Sequence, residues 1–275
     1  YISHREPILS PSTIAGYISL GEIIKADLGR LCVSEISNEK LQAYIATLSL
    51  NHSAKTVKNY KTFLTSVLAA ALPDRKYNIQ MPKKIPTEYH IPSENALKTL
   101  LDNSDGDLHL AILLGAVGGL RRGEICALKQ EDVLRDLSAV YVHADMIKDK
   151  NKEWIYKPIP KTASSIRKVD LPKQIIDQIP TTDGFIINRS PDWITRNFRR
   201  FANKYGLKCR FHDLRHYCAS YLHSIGVPDQ YIQERGGWRT DQTLKSVYRN
   251  TIKEKSVKFA KEANKAFAKS LSDVI

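Results

Sequence analysis

Between Ser12 and Ala71, apolar residues recur at three- and four-residue intervals, the period of a helix with one buried face. Ile14, Tyr17, Ile18 and Leu20 make the first stripe, with Ser12 and Thr13 placed to cap it. Ser37 precedes a second run, Glu39 to Ile45. Ser53 precedes a third, whose apolar positions are Val57, Tyr60, Phe63, Leu64, Val67 and Leu68. A serine at such a place accepts an otherwise unpaired N–H of the first turn. Opposite the third stripe stand Lys55, Lys58, Asn59, Lys61 and Thr62. That face reads equally as a solvated surface or as a helix start whose amides and lysines meet phosphates.

Prolines break the pattern next. Pro82, Pro86 and Pro92, after Pro73 and around Lys83 and Lys84, predict a stiff linker at 81–92. It separates a helical domain, 1–80, from a second domain, 93–275. Ser93 opens that domain as a helix cap, and an apolar helix follows around Leu108 to Val117. The period then shortens. Residues 139–143, 152–156 and 166–171 predict three strands of one small antiparallel sheet. Helices resume from Asp192. The class is mainly α with a small antiparallel β-sheet. The last stretch, 252–275, reads as a helix with Val257, Phe259, Ala263, Phe267 and Leu271 among interleaved lysines. It has two readings, a helix folded onto its own domain or one exchanged between protomers.

Charge changes the picture of what such a chain meets. Its 275 residues carry 42 Lys and Arg against 29 Asp and Glu, a net +13. Residues 1–90 hold 11 basic against 7 acidic side chains and the remainder 31 against 22, so both parts attract a polyanion. From Arg189 to Arg210 seven cations accompany the single acid Asp192, which favours Arg196, Arg199 and Arg200 as backbone-phosphate contacts. A mean hydropathy of −0.35 excludes a membrane protein built on long apolar spans, and the run Leu108 to Leu120 is too short to cross a bilayer. Cys32, Cys126, Cys209 and Cys218 show no CxxC spacing and predict reduced, mostly buried thiols of a cytoplasmic protein. Tyr1 in place of Met leaves room for a preceding domain.

Common chemistries fall away one by one. Gly115, Gly118 and Gly119 do not make a GxGxxG, and no GxxxxGK[ST] occurs. Asp102 to Asp107 has glycine where a calcium loop needs an oxygen ligand. His212 and His216 are spaced for zinc, but Arg215 would set a cation beside the metal. No metal or other cofactor is expected. What remains is an ordered set of cationic and polar residues. Gly119-Leu120-Arg121-Arg122-Gly123-Glu124 comes first, and His212-Asp213-Leu214-Arg215-His216 follows, with His212 and Arg215 on one helical face. Gly236-Gly237-Trp238 and then Tyr248 close the set.

In that order the motifs resemble the tyrosine recombinase (phage integrase) family, and the resemblance spans nearly the whole chain. It implies a two-domain C-shaped clamp, a helical core-binding domain plus an α+β catalytic domain. It implies a site-specific recombinase, the integrase of a phage or integrative element, that cuts and rejoins DNA through a covalent 3′-phosphotyrosine. The alternatives are a resolvase-type recombinase of the same family and a DNA-binding protein that has lost catalysis. Residue by residue, Arg121 and Arg215 match the two catalytic arginines, His212 the histidine and Tyr248 the nucleophile. Trp238 stands where many members have histidine. Lys161 matches the hairpin lysine because Ile166-Arg167-Lys168-Val169-Asp170-Leu171 follow it, although Lys148, Lys150, Lys152, Lys157 and Lys168 lie nearby. The step from Trp238 to Tyr248 is one residue longer than in many members. Lys55, Lys58, Asn59, Lys83 and Lys84 join the three arginines as expected DNA contacts. The partners implied are double-stranded attachment sites, further copies of the chain in a tetramer on two sites, and an accessory directionality or bending protein.

Overall fold

Serine caps and proline breaks fix where the first helices begin. In a computed structural model, which describes residues 1–83, 85, 90–158, 165–238, 261 and 264, helix α1 covers Ile2–Arg5 and α2 covers Pro11–Leu28. Helix α3 covers Asn38–Asn51 and α4 covers Ala54–Ala71. Ser37 Oγ accepts the N–H of Lys40 at 3.2 Å, and Ser53 Oγ that of Thr56 at 3.2 Å, as the spacing predicts. The cap of α2 is Ser10 rather than Ser12 or Thr13. Pro11 takes the first helical position, where its missing N–H costs nothing, and so moves the start upstream.

The chain forms two compact units. The first comprises Tyr1–Thr87 and Ile147–Ile155. Leu41, Ile45 and Leu48 of α3 pack with Val57, Tyr60, Leu64 and Leu68 of α4 around Ile36 and Ile79. The segment after α4 is tied to α3 by two bonds, Gln80 N–H to Gln42 Oε1 at 2.8 Å and Gln42 Nε2 to the Gln80 carbonyl at 3.3 Å. Lys150 reaches Glu6 at 2.6 Å, which fastens the inserted stretch to α1. Lys55, Lys58 and Asn59 lie exposed at the start of α4, and Lys83 is exposed beyond it.

The second unit comprises Glu88–Met146 and Tyr156–Ile275. It holds α5 (Glu94–Asn103), α6 (Gly106–Ala116) and α7 (Arg122–Ala127). Later come α8 (Lys173–Ile176), α9 (Pro191–Lys204), α10 (Phe211–Ser224) and α11 (Asp229–Gly236). Residues Leu110 to Ala116 of α6 are all buried, so this helix is the axis of the core, flanked by Leu100, Phe198, Phe211 and Leu214. Each such side chain contributes about 1.5–3 kcal/mol of burial. Strands β1 (Val133–Leu134), β2 (Ala139–Val142) and β5 (Arg167–Asp170) make an antiparallel sheet in the order β1-β2-β5, with Val140 opposite Val169.

The strand pattern differs from expectation in strand number, with five described strands where three are expected, and in how they pair. Instead of three strands in one sheet there are two sheets, because β3 (Asp145–Lys148) and β4 (Trp154–Lys157) pair with each other. A polar turn at Asp149, whose carboxylate accepts the N–H groups of Asn151 and Glu153, folds them back before β4 can meet β2. On α9, Ile194, Phe198 and Ala202 recur every four residues and face inward, which turns Arg196, Arg199 and Arg200 out to solvent. Arg189 and Arg210 of the same basic stretch are instead engaged by Asp107 and Asp213. No described helix is long and apolar enough to cross a membrane.

Candidate active site

Arginine followed three residues later by an acid starts two helices of the second unit in the same way. Before α7, Glu124 accepts the Arg121 backbone N–H at 2.8 Å and its guanidinium Nη1 at 2.5 Å. Before α10, Asp213 accepts the Arg210 N–H at 2.8 Å and binds its guanidinium. In each case the acid satisfies an orphan amide of the first turn while holding the arginine that precedes it. Arg121 is thereby held half-buried at the head of α7, and its Nη2 donates to the Gly237 carbonyl at 3.1 Å.

Helix α10 crosses α6, and Gly115 lets Phe211 and Leu214 approach closely. This crossing carries Arg215 into the core at 1% exposure, among the most buried large side chains in the protein. Its Nη1 donates to the Gly119 carbonyl, and its guanidinium lies 4.0 Å from the centre of the Trp238 ring. Among the described residues its Nη2 has no hydrogen-bond partner. Burial and the like charge of Arg121 push its pKa well below the ordinary arginine value.

Trp238 is delivered by the end of α11. Gly237, at φ +62°, makes the left-handed turn that ends the helix, and Trp238 N–H returns to the Gln233 carbonyl. Gly236 gives the ring its place, since a Cβ there would overlap it. His212 is exposed on the first turn of α10 and meets His216 edge-on, ring centres 4.9 Å apart. Crowding by protein and the Arg215 charge push His212 down to about 4, so it is neutral at pH 7. His216, buried behind it, is likewise pushed to about 4 by burial and by His212.

Sequence reasoning missed two charged side chains beside this cluster, one of which holds it. Arg167, at the head of β5, makes a two-pronged ion pair with Glu124, at 3.1 and 2.9 Å, with both side chains buried. The signal was present, because the alternation of β5 puts Arg167 on the inward face with Val169. Burial alone would raise Glu124, but Arg167, then Arg121 and Arg215, bring it to about 2. The second is Asp145 of β3, packed on the backbone of Gly123 and raised to about 6 by burial and by Glu124.

The structure therefore brings Arg121, His212, Arg215 and Trp238 into one cluster. Lys161, Tyr248 and Lys84 lie outside the described residues, and the same holds for most of 252–275. Among the described residues no group of His, Cys, Asp and Glu could hold a metal ion. The cluster can hold a tetrahedral oxyanion between two guanidiniums, with an indole N–H and a neutral imidazole as the other polar groups.

Comparison with known proteins agrees with this chemistry. Residues 93–255 match the model of the phage integrase family. A XerC-like tyrosine recombinase of Caldanaerobacter subterraneus subsp. tengcongensis is 26% identical over 297 residues, covering 89% of this chain and 75% of the relative. The integrase of Salmonella phage P22 is 23% identical over 205 residues, 69% of this chain and 52% of its own length. Among solved structures, the Tn1549 transposon integrase in complex with transposon right end DNA superposes with a TM-score of 0.76 at 17% identity, covering 96% of both chains. A lambda integrase tetramer bound to a Holliday junction gives a TM-score of 0.68 at 19% identity, over 88% of this chain and 73% of that one.

Proposed function

This chain belongs to the phage integrase family, and we propose that it is a site-specific tyrosine recombinase that cuts and rejoins DNA through a 3′-phosphotyrosine. The observation that carries the reading is the buried Arg215 beside Arg121. Two guanidiniums held in one place, one with a donor that no described residue takes up, have little use in a folded core, and much use around a phosphodiester.

The step is attack of the Tyr248 phenol oxygen on phosphorus, which forms the O–P bond to tyrosine and breaks the bond to the 5′ oxygen. Negative charge gathers on the non-bridging oxygens, and Arg121 and Arg215 stabilise it with planar guanidinium donors. Trp238 can only donate, so it holds a phosphoryl oxygen and moves no proton. The phenol must lose its proton during attack, and His212, being neutral, is free to take it. Its basicity is lowered first by burial and then by the two arginines that face it; an arriving phosphodiester offsets the arginines and raises it where the proton is needed. Lys161 gives the leaving 5′ oxygen its proton.

By the same reading the natural partner is double-stranded DNA carrying two attachment sites, bound by four copies of the chain. The DNA complexes and the tetramer reported for its structural relatives support this. Integration of a phage or conjugative element is the leading reading and a resolvase role the alternative, since the relatives include both phage integrases and Xer-type recombinases. An accessory protein that bends DNA or sets direction belongs to the same reading.

A nicked suicide substrate tests it, because the short strand diffuses away and traps the adduct. Wild type should accumulate covalent complex, and Tyr248→Phe should bind the DNA equally and form none. Normal adduct yield from that variant would remove Tyr248 as the nucleophile and point to Tyr231 or Tyr221.

A further inference from the structure

Arg167 makes four hydrogen bonds to three partners, none of which the proposed reaction uses directly. Its Nη1 and Nη2 bind the two oxygens of Glu124, the acid that holds both the backbone and the guanidinium of Arg121. Its Nε donates to the Arg235 carbonyl at 2.7 Å, two residues before the Gly237 carbonyl that receives Arg121 and three before Trp238. Its Nη1 also reaches the Ser165 carbonyl at 3.0 Å, four residues after Lys161 in the chain. At 6% exposure the side chain is closed off from solvent, so it cannot touch DNA itself.

We propose that Arg167 is a positioning residue, which sets the pose of Arg121 through Glu124 and fastens the end of α11, with Trp238, to the same frame. The proposal rests on the reading of Arg121 as a phosphate-holding group. The geometry favours it over a plain stability role. A guanidinium that only neutralised Glu124 would need two of its donors; here the third is spent on the backbone carbonyl that locates the other side of the site.

Glu124 makes the idea readable in a pH profile. It is faced by Arg121 at the head of its own helix, Arg167 from β5, Arg215 from α10 and Asp145 from β3. With Arg167 gone, the strongest force holding its proton off is lost while burial and Asp145 still favour protonation. Glu124 then binds a proton closer to working pH, and a protonated carboxyl no longer accepts both bonds from Arg121.

The experiment follows covalent-adduct formation on the nicked substrate from pH 5.5 to 9, alongside DNA binding and melting temperature. Arg167→Met should bind DNA within about twofold of wild type and form adduct on the order of 10- to 100-fold more slowly. It should also gain a limb in which the rate falls as pH falls, and adding Glu124→Gln should erase that limb. Arg167→Lys keeps the charge without the fork, so it should recover the pH profile more than the rate. If Arg167→Met fails to fold, the lysine variant decides. A folded Arg167→Lys as fast as wild type would overturn the proposal, as would a folded Arg167→Met whose profile keeps the wild-type shape. Wild type that binds but never forms adduct would sink the recombinase reading and this proposal with it, a result told apart because the failure is then in the parent protein.

Discussion

His212 shows how far a residue's surroundings override its type. A histidine near 6.5 would be half charged at pH 6.5, but burial and Arg215 depress this one to about 4. It is therefore neutral above about pH 5 and charged only well below. The rate of adduct formation at limiting DNA, which reports the free protein, should show no histidine limb between pH 6 and 7 and should fall only as pH approaches 4. A clear inflection near 6.5, lost in His212→Gln, would show that the free side chain titrates as it would in water. The sequence showed His212 and Arg215 on one face, since i, i+3 spacing is enough for that. It could not show the depressed pKa, which depends first on burial by surrounding protein and then on Arg215, with Arg121 adding its charge from a helix far away in the chain.

At the scale of elements, helix starts were legible where a serine precedes an apolar stripe, as at Ser37, Ser53 and Ser93. The Ser10 cap was hidden by the competing pair Ser12 and Thr13. The split into two sheets was hidden because alternation marks a strand without naming its neighbour. Helix α11 illustrates a constraint of the same non-local kind. Its last residue, Gly236, is an ordinary helical position, and only the returning Trp238 ring forbids a side chain there. Gly236→Ala should cost about 1–3 kcal/mol of stability and push Trp238 off Arg215. Tryptophan fluorescence and thermal melting would register both; an unchanged spectrum and melting temperature would mean that the ring has room to spare.

For the molecule as a whole, charge was the most legible property and the most general. The net +13 and the exposed lysines of α4 and arginines of α9 agree with a polyanionic partner, and both compact units contribute. Affinity for DNA should therefore fall steeply with salt. Lys58→Ala should weaken binding to matched and unmatched sequences alike and lower the slope of log K against log salt by about one. A loss confined to one target sequence would make Lys58 a reader of bases instead. What composition could not reveal is that Arg189 and Arg210 are engaged by Asp107 and Asp213, so that part of the basic stretch serves the fold.

Gly123 and Gly236 also bear on how such a protein can change over generations. At Gly123 a Cβ would overlap Asp145, and at Gly236 it would overlap Trp238. Every single-base change in a glycine codon that alters the amino acid adds at least that carbon. Neither position has a neutral neighbour in the genetic code, although neither carries any chemistry. A library of random substitutions should be depleted at both as severely as at the arginines they sit beside. Drift in this lineage is left to run through the solvent-facing side chains, where what the protein binds can be revised without touching how it cuts.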